Sequence, residues 1–347
     1  MNTRFLLLGL TIMLGLYGGC STEVDINADP QDIYAVYGIL DPGDSVQYIR
    51  ISQAFLVEGD ALEYAKENDQ SVKELRISLE GNGKVYEATE VADVSKVPAD
   101  GTFFPTQTVY RFDTKGDDAL AGDTEYQLSI RGPQDGTLQL TATTVVPEAP
   151  RVVQPRLRAC AGTAKTYSLL ELRQATQVAF QKGTAVGFEV RAFLAYEANG
   201  VKDTVSIGPI GLLTEFAGCG SDSRGCYTFG RGDLLTTFRS KMEQLSEPYT
   251  YEAEPTCAQP EDLPKSIWFE VTATDEFFTN YLLANDPKFI DFNTVRPEYT
   301  NISGTAKVVG IFGSRATSRE YAGLSECSKY LLGVNGVVTP PNTNCQL

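Results

Sequence analysis

The sequence predicts a mainly β protein: an antiparallel sandwich in the amino-terminal half, then a second β-rich domain with a few helices. Three observations predict it. Apolar and polar residues alternate over short runs, the period of a half-buried strand. Clusters of Gly, Asn, Asp and Pro separate the runs at intervals too short for intervening helices. Hydrophobic residues make up 42% and aromatic residues 10% of the 347, ample for packed cores.

The elements follow in order. Residues 32–40 and 45–55 flank Asp41-Pro42-Gly43-Asp44, a tight turn in which Pro presets φ and Gly accepts positive φ. Leu75, Ile77 and Leu79 alternate with Arg76, Ser78 and Glu80; Gly81-Asn82-Gly83 then turns the chain into a strand over 84–91. Tyr126, Leu128 and Ile130 repeat the alternation, residues 132–136 turn, and Leu138, Leu140 and Ala142 repeat it again. The stretch Leu120-Ala121-Gly122-Asp123-Thr124-Glu125-Tyr126 resembles the tyrosine corner of immunoglobulin-like and fibronectin-like sandwiches, where a tyrosine hydroxyl ties a sheet crossing to nearby backbone. A buried strand tyrosine without that bond fits the same residues. Pro147 and Pro150 cannot sit in a central strand, which puts a domain boundary near residue 150: a sandwich over 32–150 and a second domain over 151–347.

In the second domain Phe188, Val190, Ala192, Leu194 and Tyr196 share one face of a strand. The period changes over 233–245, where Leu234, Leu235, Phe238, Met242 and Leu245 fall on one side of a helix with Asp233 as its N-cap. Ile267, Phe269 and Val271 restore the strand pattern. Residues 275–284 read as a second helix with Phe277, Phe278, Tyr281 and Leu282 mostly buried, and 307–312 as a late strand. No internal repeat is evident.

The leader places the chain. Arg4 is the sole charged residue before an apolar run over 5–17, which ends in Tyr17-Gly18-Gly19-Cys20. A basic start, a short apolar stretch and small residues before the cut mark a secretory signal. A cysteine directly after them resembles a bacterial lipoprotein signal: residues 1–19 are removed and Cys20 becomes the acylated amino terminus, with Tyr17 where most such signals carry Leu. The apolar run is shorter than the roughly 20 residues that span a bilayer. Each buried methylene contributes about 0.8 kcal/mol, so several palmitate-class chains anchor a protein durably. Residues 20–31 read as a polar tether. Glu23 and Asp25 resemble the surface-export signal of Bacteroidetes lipoproteins, favouring the outer face of the outer membrane over the periplasmic face.

Charge and cysteines narrow the partners. The formal net charge is −16, and Arg4 leaving with the leader makes it −17. Such a chain repels nucleic acid, which is not an expected partner. Six cysteines remain beyond Cys20: Cys160, Cys219, Cys226, Cys257, Cys327 and Cys345. An even number in an oxidising compartment indicates up to three disulfides of unspecified connectivity. Cys219 and Cys226 flank six small or polar residues and form the first pair to expect. A metal site from these cysteines is disfavoured, because no CxxC spacing and no histidine occur.

Several segments then resemble a known family. Val36-Tyr37-Gly38-Ile39-Leu40-Asp41-Pro42 followed by Tyr48-Ile49-Arg50-Ile51, Thr141-Ala142-Thr143-Thr144-Val145-Val146-Pro147, and Tyr299-Thr300-Asn301-Ile302-Ser303-Gly304 leading to Gly310-Ile311-Phe312-Gly313-Ser314-Arg315 are similar to uncharacterised Bacteroidetes outer-membrane lipoproteins classed as a domain of unknown function. The resemblance implies an outer-membrane location and a β fold, with a loose association to nutrient uptake through TonB-dependent transporters. It transfers no catalytic residue.

The chemistry census points away from catalysis. Zero histidines exclude Ser-His-Asp, Cys-His and HExxH arrangements. No GxSxG, SxxK, phosphate-binding loop or dinucleotide-binding glycine pattern occurs. Asp117, Asp118, Asp123 and Glu125 could coordinate calcium, though an acidic solvated turn explains them more simply. Arg231-Gly232-Asp233 reads as a helix entry rather than an adhesive tripeptide. Phe103-Phe104-Pro105 and Phe277-Phe278 could expose one ring each. The expected protein is a non-enzymatic, cofactor-free, lipid-anchored outer-membrane protein. Its disulfide-bearing loops would bind a partner or ligand, with a TonB-dependent transporter or another envelope protein as candidate partner. A structural, adhesin or envelope-assembly role is the alternative, and a carboxylate-based hydrolase the third reading.

Overall fold

A computed structural model describes residues 33–55, 57, 60–96, 104–133, 137–155, 166–167, 175–208, 211–216, 219, 221–230, 232–245, 248–251, 266–285, 299–324 and 326–333. The leader, Cys20 and the tether lie outside the described residues.

In the first half, β1 (Ile33–Leu40) and β2 (Val46–Gln53) form the expected hairpin. The Asp41 carboxylate accepts from the Gly43 amide at 2.9 Å, and the Asp41 carbonyl accepts from Asp44 at 3.0 Å. Helix α1 (Ala61–Glu67), which strand periodicity gave no cause to expect, is capped by Asp60, whose carboxylate accepts from the Leu62 and Glu63 amides. Strand β3 (Arg76–Gly81) turns through Asn82 and Gly83, both at positive φ, into β4 (Lys84–Glu87). The single strand expected over 84–91 is two. β4 pairs with β3, whereas β5 (Thr89–Ser95) pairs with β6 (Thr106–Asp113) in the opposite sheet. The chain crosses at Ala88, whose amide is held by the Ile77 carbonyl at 2.9 Å. Strands β7 (Thr124–Arg131) and β8 (Gln139–Val146) follow as the alternation predicts.

These strands make two sheets, ordered β1-β2-β6-β5 and β8-β7-β3-β4. One core joins them, with Val36, Ile49 and Phe112 on one side and Leu79, Leu128 and Leu140 on the other. Tyr126 is fully buried, and its hydroxyl accepts from the Ala121 amide at 2.8 Å, the backbone bond that the corner reading required.

The second half contributes β9 (Arg151–Gln154), β10 (Thr166–Tyr167), β11 (Thr176–Gln181), β12 (Gly187–Ala198), β13 (Val201–Ile207), β14 (Arg224–Phe229), helix α2 (Asp233–Glu243), β15 (Tyr249–Thr250), β16 (Ile267–Thr274), helix α3 (Glu276–Asn285), β17 (Ser303–Gly304), β18 (Lys307–Leu324) and helix α4 (Glu326–Leu332). Its main strands lie in the orders β9-β11-β14 and β18-β16-β12-β13. Taken in chain order, this is the arrangement of the first half, less one edge strand. The fold thus repeats itself although the sequence does not.

The expected inward face of β12, from Phe188 to Tyr196, is buried residue by residue. In α2 the periodicity holds, with Leu234, Leu235, Phe238 and Met242 buried, but Asp233 is not the N-cap. Gly232 takes that place at φ 75°, and Asp233 moves into the first turn, its carboxylate accepting from the Gly230 amide at 2.8 Å. A glycine suits the left-handed entry, and the helix dipole favours an anion in the first turn. Helix α3 departs further. Thr279 is its one buried residue, while Phe277, Phe278, Tyr281 and Leu282 are half-buried. The helix packs on the outside of the large sheet rather than inside a sandwich.

Strand β18 is three times the length the sequence suggested. Its residues 307–314 pair in parallel with β1, and its residues 315–322 pair antiparallel with β16. The sheet consequently runs β13-β12-β16-β18-β1-β2-β6-β5 through both halves. Ile302, Val308 and Phe312 belong to the first core although they come from the second half of the chain. Gly310 (φ 105°) allows the close approach to β1, since a Cβ there would collide with the Val36 carbonyl oxygen. Side chains alternate between faces along a strand. Even-numbered β18 residues share the side of Phe312 and of Phe269 on β16, so both cores lie on one face of the large sheet. The other face is continuous across the seam.

Polar contacts lock that seam. Asn301 donates to the Thr143 carbonyl at 3.0 Å and accepts from the Phe312 amide at 3.0 Å. The Thr144 hydroxyl donates to the Asp275 carboxylate at 2.7 Å, and the Ser314 hydroxyl donates to the Val145 carbonyl at 2.9 Å. The three segments that carry the family resemblance, around Gly38, Thr144 and Gly310, all meet here.

Candidate ligand-binding cleft

The outer face of β12, β16 and β18 is built by residues whose neighbours in sequence point into the core. Four rows cross the strands in register: Gly187, Thr274 and Arg315; Glu189, Thr272 and Thr317; Arg191, Glu270 and Arg319; Phe193, Trp268 and Tyr321. The first three rows, Gly187 excepted, floor a cleft of about 630 Å³. Asp41, Gly43 and Asp44 of the β1–β2 turn form one wall, and Phe278 and Leu282 of α3 another. The cleft therefore draws on both halves of the chain.

Local sequence explains the walls. Asp275 precedes α3 and caps it, its carboxylate accepting from the Phe278 amide at 2.9 Å and from the Ser314 amide at 3.2 Å. Gly313 lets the helix settle onto β18, because a Cβ at that position would stand 2.8 Å from the Phe278 Cβ. Burial pushes the Asp275 carboxyl above the ordinary carboxylate range, against the pull of its hydrogen bonds.

Two ion pairs fix the charged groups. Arg315 Nε donates to Asp41 at 2.9 Å, and Arg319 Nε donates to Glu270 at 2.7 Å. In both pairs the carboxylate lies behind and the guanidinium in front: side-chain exposure is 8% for Asp41 against 46% for Arg315, and 10% for Glu270 against 53% for Arg319. Arg191 lies 3.5 Å from Glu189 in the same sense, with the carboxylate more covered. The Thr272 and Thr317 hydroxyls, 3.1 Å apart, sit between the two rows of arginines. Beyond them the Phe193 and Trp268 rings stack with centroids 4.9 Å apart and planes within 5°, and Tyr321 lies 5.6 Å from Trp268. Trp268 is the chain's single tryptophan.

This arrangement can bind. Guanidiniums offer planar donor edges to carboxylates and hydroxyls, and Asp41, Glu189 and Glu270 are occupied in orienting them, while Asp44 stays exposed. Among the described residues no group of three or more Cys, Asp or Glu side chains could hold a metal ion. At the acidic turn Lys84 donates to the Asp117 carbonyl and pairs with the Asp118 carboxylate at 3.1 Å.

Of the residues singled out from sequence, Cys219 and Cys226 form the expected disulfide, which ties β14 to the segment before it and does not line this cleft. Cys160, Cys257 and Cys345 lie outside the described residues, as do Cys20, Phe103 and Arg231; Cys327 falls in α4, and its side chain is outside the description. The sequence reading missed the cleft residues. Their signal was present in the outward positions of strands already identified: Glu189-x-Arg191-x-Phe193, Trp268-x-Glu270-x-Thr272 and Arg315-x-Thr317-x-Arg319-x-Tyr321.

No family model and no curated protein matches the chain. Among solved structures it is similar to a chain from work on the host cell surface retention of a bacterial ice-binding adhesin, at 9% identity and a TM-score of 0.16. The match covers 86% of this chain and 66% of that one. A likeness at that score carries no argument about fold or function.

Proposed function

We propose that this chain is a non-enzymatic lipoprotein of the bacterial outer membrane, anchored through acylated Cys20, that holds a ligand in the β12–β16–β18 cleft and works beside a TonB-dependent transporter. The observation that carries the binding role is the seam. One strand serves both halves, so the cleft is walled by elements 270 or so residues apart yet fixed on a single sheet, and rigid placement of polar groups favours binding. The leader and its cysteine support the anchor. Strand orders β1-β2-β6-β5 against β8-β7-β3-β4, repeated in the second half, together with the Tyr126 corner, support two immunoglobulin-like sandwiches in tandem.

The test is co-purification of the tagged full chain from detergent-solubilised outer membrane, beside a Cys20→Ser variant. A transporter barrel recovered with the lipidated protein and lost with the variant supports the reading. Recovery of pilin-like subunits instead, or a mature chain without fatty acyl groups by mass spectrometry, contradicts it.

A further inference from the structure

We propose that the cleft recognises an acidic oligosaccharide, a short run of sugars bearing carboxylate groups. This rests on the cleft being a ligand site and names the class of ligand. The first argument is orientation. A ligand entering the cleft meets Arg191, Arg315 and Arg319 before it meets Glu189, Asp41 and Glu270, because in each pair the cation is the more exposed partner. Pairing through Nε leaves the terminal amino edge of Arg315 for a second partner, the edge that grips carboxylates bidentately, while the Arg319 guanidinium bonds Tyr321 as well as Glu270. The whole chain is strongly acidic, yet at physiological salt charges beyond roughly 8 Å are screened. Within that range Arg191, Arg315 and Arg319 stand among Asp41, Asp44, Glu189 and Glu270, so preference for an anion rests on the greater exposure of the guanidiniums over their paired carboxylates and not on net charge.

Spacing is the second argument. Arg315 and Arg319 point to the same side of β18 four residues apart, about 13 Å at the rise of a strand. Two anionic groups on one ligand would have to be separated by more than a single sugar ring. Between them the Thr272 and Thr317 hydroxyls offer partners suited to neutral hydroxyl groups, and Asp44 stands exposed at the mouth as an acceptor. The row of Phe193, Trp268 and Tyr321 extends the floor by one step with half-exposed rings, an apolar surface against which the carbon face of a sugar can lie.

The third argument separates sugars from acidic peptides. Strands β12 and β16 are bonded on both edges, β12 to β13 and β16, and β16 to β12 and β18. These two of the three floor strands thus offer no free backbone edge for strand addition, the mode that gives extended peptides most of their affinity, while β18 over 315–322 is bonded to β16 alone among the described strands. Over β12 and β16 recognition comes from side chains, and those of the floor alternate between groups for acids and groups for hydroxyls.

Trp268 reports on the test. The mature full chain would be titrated with hexagalacturonate, maltohexaose and hexaglutamate while its emission is followed, with calorimetry in parallel. Saturable binding of hexagalacturonate with a change in Trp268 emission is expected, weakening as salt rises. Arg319→Lys and Arg191→Gln should each lower affinity about tenfold by removing a guanidinium edge, while Arg76→Gln on the remote strand β3 should not. Equal binding of maltohexaose, tighter binding of hexaglutamate, binding indifferent to both cleft variants, or no binding of any probe would overturn the proposal. Co-purification with a transporter would stand in each of those cases, so failure here is distinct from failure of the broader function.

Discussion

Thr144 and Asp275 stand 131 residues apart in sequence and 2.7 Å apart in space, the first on β8 and the second at the head of α3. Thr144 Oγ1 also lies 3.0 Å from Ser314 Oγ, whose own proton goes to the Val145 carbonyl. Counting protons, the chain of contacts is complete when Asp275 is protonated: Asp275 gives to Thr144, Thr144 to Ser314, and Ser314 to Val145. With Asp275 charged, the Thr144 proton turns to the carboxylate and the contact with Ser314 is left without one. Burial raises the Asp275 carboxyl in the same direction.

Asp275→Asn should accordingly change stability at neutral pH by less than about 1 kcal/mol, because an amide can still cap α3 and donate to Thr144. Asp275→Ala should cost about 2–4 kcal/mol by leaving the Phe278 and Ser314 amides and Thr144 unsatisfied. Urea denaturation of the two variants measures the difference.

The same group fixes a pH dependence. A carboxyl raised in the folded state binds its proton more tightly there than in the unfolded chain. Its contribution is greatest below the unfolded value, about 3.9, and is lost as pH rises through the folded value. Subtracting the Asp275→Asn melting profile from that of the wild type should leave a decline across that window and a flat line above it. A difference that rises with pH would contradict the assignment.

Gly313→Val should destabilise the protein by about 1–3 kcal/mol, since any Cβ there presses on Phe278 and overpacking costs that much. The damage should be local to α3, visible as faster amide exchange in the helix than in β6.

Tyr126→Phe removes the hydrogen bond to Ala121 and leaves the ring in place, so a loss of about 1 kcal/mol is expected from chemical denaturation. Replacing Cys219 and Cys226 together by Ser should cost roughly 2–3 kcal/mol, the chain-entropy value for so short a loop. It should leave cleft binding intact.

What the sequence made legible was the inward face of each strand. Phe188 to Tyr196 alternate because one side of β12 is core, and Tyr126 follows a turn whose composition suits its corner. The long strand was hidden because Gly310 and Gly313 interrupt its apolar pattern, and Arg315, Thr317 and Arg319 are polar on a face that looks like a solvent face. Strands β4 and β5, over 84–87 and 89–95, read as one strand over 84–91, because a crossing between sheets at Ala88 leaves the period unchanged. The repeated topology was invisible for a similar reason: strand order depends on which edges pair, and backbone edges leave little mark on side-chain identity. The cleft arginines looked like ordinary surface charge until β16 and β18 brought Glu270 behind Arg319.

The central claim is that β18 makes the two halves one cooperative body and so fixes the cleft. Native-state hydrogen exchange on β18 tests it most directly, comparing those amides within 308–312 that bond β1 in the first half with those within 316–320 that bond β16 in the second. The account predicts the same opening free energy for both stretches, equal to that of global unfolding. Exchange of 308–312 through a lower-energy opening while 316–320 remain protected would mean that the halves unfold independently and the cleft has no fixed shape.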